Sequence, residues 1–235
     1  MTLSEDLQAQ LARRLAGLAD VTEDTIPAVT GPGPAPLAPA QQRLWYQQEL
    51  EPDSVEYNIA QVLELTGPLD VDRLRAAVAA LVAGHESLRT VFVEQDGVAR
   101  QQVLPPSTVD LELVEVTEDE VAAHVQAEAL APFDLRAAPP VRFRLLRTGT
   151  RHLLLLGVHH IVTDGTSLRL LAEQLCAHYA GTPVVPAEVR YADFAAWQQN
   201  RVSSLSGQAG YWRDRLAGLP PAELPTDHAR PPVRS

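Results

Sequence analysis

The stretch HLLLLGVH, residues 152–159, constrains the fold more than any other part of the chain. In a strand, successive side chains point to opposite faces. A strand that is apolar on both faces must be covered on both sides, so it belongs inside a sheet with further layers above and below. Val141 to Arg147 precedes it across Thr148-Gly149-Thr150, which predicts a hairpin. Ser167 to Tyr179 follows as a predicted helix, joined by the polar connection HIVTDGT. A layered protein is therefore expected from this segment alone.

The remaining elements fit that expectation. Pro39 suits the first turn of a helix reaching about Leu50. Asn58 to Leu65 reads as a strand. Asp70 caps a helix from Val71 to about Ala83, stopped by Gly84. Thr90 to Glu94 and Val98 to Leu104 flank Asp96-Gly97 as a second hairpin. Val109 to Val116 is a predicted strand and Glu118 to Leu130 a predicted helix. Two more helices are expected, from Ala192 to about Asn200 and from about Gln208 to Leu216. Together they predict an α+β fold, a mixed β-sheet with helices packed on it. Ahead of this body, residues 4–17 read as an amphipathic helix with Leu7, Leu11, Leu15 and Leu18 at helical spacing. The predicted organisation is an N-terminal helix over 1–18, a possible docking element; a Pro/Gly-rich linker over 19–36; one globular lobe over 37–217; and a linker over 218–235.

Composition removes whole classes of function. All 19 basic residues are arginine. Without lysine there is no Walker-A phosphate loop, no Schiff base and no lysine nucleophile. Cys176 is the one cysteine, so neither a disulfide within the chain nor a multi-cysteine metal site can form. The net charge of −11 argues against nucleic acid and anionic membrane as partners. No apolar run is long enough to span a bilayer, and the N-terminus lacks the order of a signal peptide. A cytoplasmic protein is expected, with no metal and no directly bound cofactor.

The chemistry concentrates at Val158-His159-His160-Ile161-Val162-Thr163-Asp164-Gly165. Adjacent histidines on a strand face opposite ways, so at most one enters a given cavity. Taken singly, a histidine at a strand end is more often structural, and an Asp-Gly pair is more often a helix entry. The combination offers more. It places an imidazole at the end of a buried strand, a carboxylate four residues on, and a glycine opening a helix whose N–H groups point outward. A base and a backbone oxyanion donor are then within reach of one site.

HHIVTDG resembles the HHxxxDG signature of non-ribosomal peptide synthetase condensation domains, in the chloramphenicol acetyltransferase-like superfamily. LAPAQQRLW (37–45) resembles the first motif of that family, with Ala38 where serine is usual. GHESLRTVF (84–92) resembles the second, with Gly84 where arginine is usual. YADFAAW (191–197) resembles the fourth, and all four stand in the family's order. The family's full unit is a pair of related lobes around a tunnel, and this chain resembles the N-terminal lobe, a half-domain. HHxxxDG speaks against the heterocyclising relatives, and RLW and HESLRT fit condensation domains better than epimerisation domains.

The resemblance implies formation of a peptide (amide) bond. The amine of an acceptor aminoacyl thioester attacks a donor thioester carbonyl, both tethered to phosphopantetheine arms of donor and acceptor peptidyl carrier proteins. The C-terminal lobe of the domain is the other implied partner. His160 is implied as the catalytic residue, either accepting the amine proton or orienting the amine. An α-amine near pKa 8 and an imidazole near 6.5 leave both roles open. Gly165 is implied to admit substrate and to offer its N–H to the oxyanion. His159 is implied to be structural, and Asp164 is implied to pair with Arg89 and hold the loop. His85 and Glu86 are read as building the loop around Arg89. Trp45, Tyr191, Phe194 and Trp197 are read as core aromatics, and Cys176 as a small core residue. His124, His152, His178 and His228 have no partner in local sequence. Two other functions remain in view: a non-catalytic module that binds a carrier protein or another chain, and a free-standing acyltransferase using coenzyme A thioesters.

Overall fold

In the computed structural model, residues 25–29, 33–107, 110–204, 206–220 and 227 are described. The elements are β1 (Ala35–Pro36), α1 (Pro39–Leu50), β2 (Asn58–Leu65), α2 (Val71–Gly84), a 3-10 turn (Glu86–Arg89), β3 (Thr90–Gln95) and β4 (Val98–Val103). There follow β5 (Leu111–Glu115), a second 3-10 turn (Glu118–Glu120), α3 (Val121–Ala129), β6 (Val141–Thr148), β7 (Arg151–His159), α4 (Gly165–Ala180), α5 (Tyr191–Ser204) and α6 (Ser206–Leu216). The amphipathic helix expected over residues 4–17 lies outside the described residues.

Strand β7 is buried from Leu153 through His159 because it is an inner strand of a sheet ordered β2-β7-β6-β5. Its neighbours β2 and β6 are antiparallel, and β5 joins β6 in parallel, so the sheet is mixed. Leu154, Leu156 and Val158 meet α2 and α4 through Leu74, Val78, Leu81, Leu171 and Leu175. Leu153 and Leu155 point the other way, where Val121 and Val125 of α3 pack. The two-sided apolar pattern thus becomes a helix–sheet–helix sandwich, and burying each large aliphatic side chain there contributes about 1.5–3 kcal/mol.

At Gly157 the side facing α3 is taken by a carboxylate. A Cβ there would lie 2.0 Å from Glu128 Oε1. Glu128 is buried and bonded to Arg142 Nε at 2.6 Å. Glycine is needed at this point of an otherwise bulky strand because the ion pair passes directly over it.

The second hairpin does not join this sheet. Strands β3 and β4 form a separate three-stranded sheet with β1, in the order β1-β4-β3. The mixed sheet expected from the sequence is present, but it holds fewer strands than the reading assigned to it. The physical reason lies in Phe92. It buries against Trp45, Leu44, Phe133 and Ile161, and this cluster lies under the connection that follows β7. The Asp96-Gly97 turn is a hairpin with positive φ at both residues, 53° and 75°, a geometry that Gly97 permits. Within the segment read as a linker, Ala35 and Pro36 pair with Gln101 and Arg100 of β4.

The chain divides into two compact units at Gln199 and Asn200. The second unit contains α6, where Tyr211 and Trp212 are in edge-to-face contact at 5.3 Å. No helix among the described residues is long and apolar enough to cross a membrane.

Candidate functional site

The two histidines part at the end of β7. His159 is the strand's last residue and 1% exposed. Its ring stands edge-on to Phe133 at 6.1 Å and near Tyr57 at 6.3 Å. The backbone N–H of Ile161 donates to its Nδ1 at 3.1 Å, so the ring is neutral and its proton sits on Nε2. Burial, and then the neighbouring charge of His160, push its pKa down to about 4. His160 lies one residue past the strand. Its backbone N–H donates to Tyr57 O at 2.8 Å, and its side chain is exposed.

His160 lines a cleft of about 300 Å³ within the first unit. Arg43 of α1, Tyr57, Ser87, Asp164 and Tyr191 also face this cleft. A larger groove of about 450 Å³ lies between β2 and α4 but carries no imidazole. Of these two, the smaller cleft is where titratable and hydrogen-bonding groups converge around the exposed His160, and that makes it the candidate site.

A residue not singled out in the sequence holds the connection from above. Gln41 of α1 is 2% exposed. Its Nε2 donates to Ile161 O at 3.3 Å, and its Oε1 accepts from Ala38 N–H at 3.1 Å and from Gln101 Nε2 at 3.5 Å. Gln101 in turn donates to Pro36 O at 2.7 Å. Ala38 supplies no side-chain cap to α1, and Gln41 satisfies its N–H instead. The signal for this was present in α1: Gln41, Leu44, Trp45 and Gln48 are its buried residues, and two glutamines in an i, i+3, i+4, i+7 stripe are anomalous.

Asp164 does not pair with Arg89. It is the exposed N-cap of α4, accepting from Ser167 N–H and Ser167 Oγ, both at 2.7 Å. These bonds hold its carboxyl below the usual range, led by the Ser167 N–H. Arg89 donates to Leu104 O and faces Glu86 at 3.6 Å. The correction follows from position: a carboxylate at a helix entry satisfies the helix's own orphan donors first. Asp164→Ala is therefore expected to cost about 1 kcal/mol, as for a lost cap, and not the roughly 3–5 kcal/mol of a broken buried ion pair. Urea unfolding of that variant beside Arg89→Ala checks this; a strong coupling energy in the double variant would restore the ion pair.

Gly165 opens α4 at the edge of the cleft. A Cβ there would meet nothing within 4 Å, so no contact among the described residues requires glycine. Its N–H precedes the first intrahelical bond. His85 shares a 2.6 Å hydrogen bond with Gln174 of α4, and Glu86 O accepts from Thr90 Oγ1 at 2.7 Å. Trp45 is buried, as read from the sequence, but Tyr191 is not core. It is 39% exposed and faces the cleft, and its phenol is held above its ordinary value by partial burial and by the Asp164 charge. Cys176 is also exposed, lining the groove beside β2, because its position on α4 falls next to the buried stripe of Leu171 and Leu175 rather than in it. Among the described residues no three His, Cys, Asp or Glu side chains gather to hold a metal.

The condensation-domain family model matches residues 33–235. The chain is 40% identical over 242 aligned positions to a probable non-canonical nonribosomal peptide synthetase, CymA of Salinispora arenicola, covering 97% of this chain and 3% of that protein. It is 40% identical over 204 positions to surfactin synthase subunit 2 of Bacillus subtilis, covering 85% and 6%. Among solved structures, the X-domain from teicoplanin biosynthesis superposes with a TM-score of 0.79 at 31% identity, covering 88% of this chain and 49% of that one. That domain has also been solved in complex with OxyB. The first condensation domain of the CDA synthetase gives 0.70 at 26% identity, covering 81% and 52%. The chain spans about half of these solved domains and a few per cent of the curated synthetases.

Proposed function

This chain belongs to the condensation-domain family, and from that premise we propose that it is the histidine-bearing half of a domain that joins two carrier-tethered thioesters through an amide bond. The observation that carries the proposal is the exposure of His160 in a cleft, beside a buried and neutral His159 that holds the backbone presenting it.

In this reading the acceptor amine attacks the donor thioester carbonyl near His160. A C–N bond forms and the C–S bond breaks. The amine proton leaves through or alongside the imidazole, and the donor arm departs as a thiol. The negative charge that develops on the carbonyl oxygen meets the N–H groups at the entry of α4, with Gly165 the proposed donor. His160 orients the amine or takes its proton. Donor and acceptor carrier proteins, bearing phosphopantetheine, are the proposed partners, and a second lobe supplies the facing wall of the cleft. Residues 37–217 are the proposed lobe, flanked by the segments at 1–36 and 218–235.

A second reading is favoured by one observation, the likeness to the X-domain, which has been solved bound to another protein. In that reading the lobe docks a partner and turns nothing over. Donor- and acceptor-loaded carriers, mixed with this chain and a separately purified second lobe, distinguish the two. Amide product by mass spectrometry, absent without either half, is the expected result. Carrier binding without product, with both halves folded and associated, would leave the docking reading. Acyl transfer from free coenzyme A thioesters would place the chain with the coenzyme A-dependent acyltransferases.

A further inference from the structure

We propose that a single buried water bridges His159 Nε2 and Asn58 Oδ1, and that Asn58 is thereby a positioning residue for the connection that carries His160. Asn58 and His159 are direct register partners across β2 and β7, so their side chains leave the sheet on the same face. It is the face on which Gly157 meets Glu128 of α3. Both side chains meet the end of α3 or the segment that follows it. Asn58 Nδ2 donates to Ala129 O at 3.1 Å and to Ala131 O at 2.8 Å, while the His159 ring meets Phe133.

Each residue is left with one unspent polar atom, and the two are complementary. The amide of Asn58 has used both hydrogens, so its Oδ1 can only accept. The ring of His159 accepts at Nδ1 from Ile161 N–H, so its Nε2 can only donate. Both Asn58 Oδ1 and His159 Nε2 are buried without a protein partner. Buried polar groups are rarely left so. A water accepts from Nε2–H and donates to Oδ1, which meets the requirement for two or more polar partners. Asn58 then selects the Nε2–H tautomer of His159, and that tautomer alone leaves Nδ1 free to accept from Ile161. The bridge itself does not depend on the reaction assigned to the protein. Its consequence for turnover does, because it acts through His160.

The test needs no activity. Long-range ¹⁵N–¹H correlation on the whole chain, with histidine labelled, reads the tautomer and exchange rate of His159. The expected result is an Nε2–H tautomer, slow exchange of that proton, and a cross-peak from it to a long-lived water. In Asn58→Leu, protection of the Nε2 proton should fall roughly tenfold or more, the factor that accompanies loss of one buried hydrogen bond. A wild-type Nδ1–H tautomer, or an Nε2 proton exchanging as in free imidazole, overturns the proposal. So does protection that survives in a folded Asn58→Leu. If Asn58→Leu does not fold, the wild-type tautomer and water cross-peak decide. Because amide formation is not measured, failure here leaves the proposed function standing, and failure of that function leaves the bridge standing.

Discussion

His160→Ala should reduce amide formation by the reconstituted two-lobe domain by about 10²–10⁴-fold while leaving the thermal midpoint nearly unchanged. The second half of this expectation comes from how little the side chain does for the fold. It is exposed at the cleft, and the hydrogen bond that fixes the residue runs from its backbone N–H to Tyr57 O. Alanine keeps that bond. The size of the loss does not by itself say what the imidazole does, since orientation alone can produce an effect of this order. His160→Gln separates the roles. Glutamine retains a hydrogen-bonding terminus but is no base near neutral pH. If the imidazole orients the amine, Gln recovers much of the rate; if it takes the proton, Gln behaves as Ala does. Single-turnover rates with pre-loaded carriers are the measurement, with carrier affinity determined alongside. An Ala variant that turns over at the wild-type rate would remove His160 from the chemistry.

The parts of this molecule that were legible in its sequence are those where local pattern and global position agree. The run 152–159 announced an inner strand because apolar residues on both faces have only one stable placement. Asp70 announced a helix entry because a short acceptor at that point satisfies orphan N–H groups wherever the helix sits; it accepts from Arg73 N–H at 3.0 Å. That the two histidines face different ways was legible for a related reason, since side chains alternate along a strand; which of them meets the cleft came from the family resemblance alone.

What could not be read depends on contacts distant in sequence. Pairing Asp164 with Arg89 treated the carboxylate as needing a cation, whereas Ser167, three residues on, already satisfied it. Gln41 reaches Ile161 across 120 positions; its place in the buried stripe of α1 turns it inward, but no local pattern names the backbone oxygen it meets. Tyr191 was read as core because aromatics at helical spacing usually are. Its place at the start of α5 puts it on the cleft, while Ala192 and Ala195 take the buried face. The separate small sheet escaped notice because a hairpin's sequence fixes its own turn and says nothing about which sheet it joins.

His159 makes the fold sensitive to mild acid, and the direction of that sensitivity follows from its surroundings. In the unfolded chain a histidine takes up a proton near pH 6.5; in the folded protein burial holds the pKa of His159 down to about 4. Between those values the unfolded state binds the proton and the folded state does not. Stability is therefore constant above about pH 6.5, falls as pH drops through this window, and levels off below about 4 as far as this group is concerned. The full fall amounts to about 3 kcal/mol, from roughly 1.4 kcal/mol per pKa unit. That is a large share of the 5–15 kcal/mol typical of a domain. The depressed carboxyls Asp164 and Asp193 start from an ordinary value of 3.8, so their contributions are lost at more acid pH and leave the window between 5 and 6.5 to histidine. Protonation also has a structural consequence. A charged ring carries hydrogen on Nδ1 and can no longer accept from Ile161 N–H, so the backbone next to His160 loses one of its ties before the domain unfolds. Urea unfolding free energies measured from pH 7.5 to 4 give the slope directly. His159→Phe, which fills the space between Phe133 and Tyr57 without titrating, should be less stable at neutral pH, with Ile161 N–H left unpaired, but should lack most of the decline between 6.5 and 4. Parallel curves for the two proteins would mean that His159 titrates normally in the fold, and the claim that burial keeps its ring neutral in mild acid would have to be abandoned.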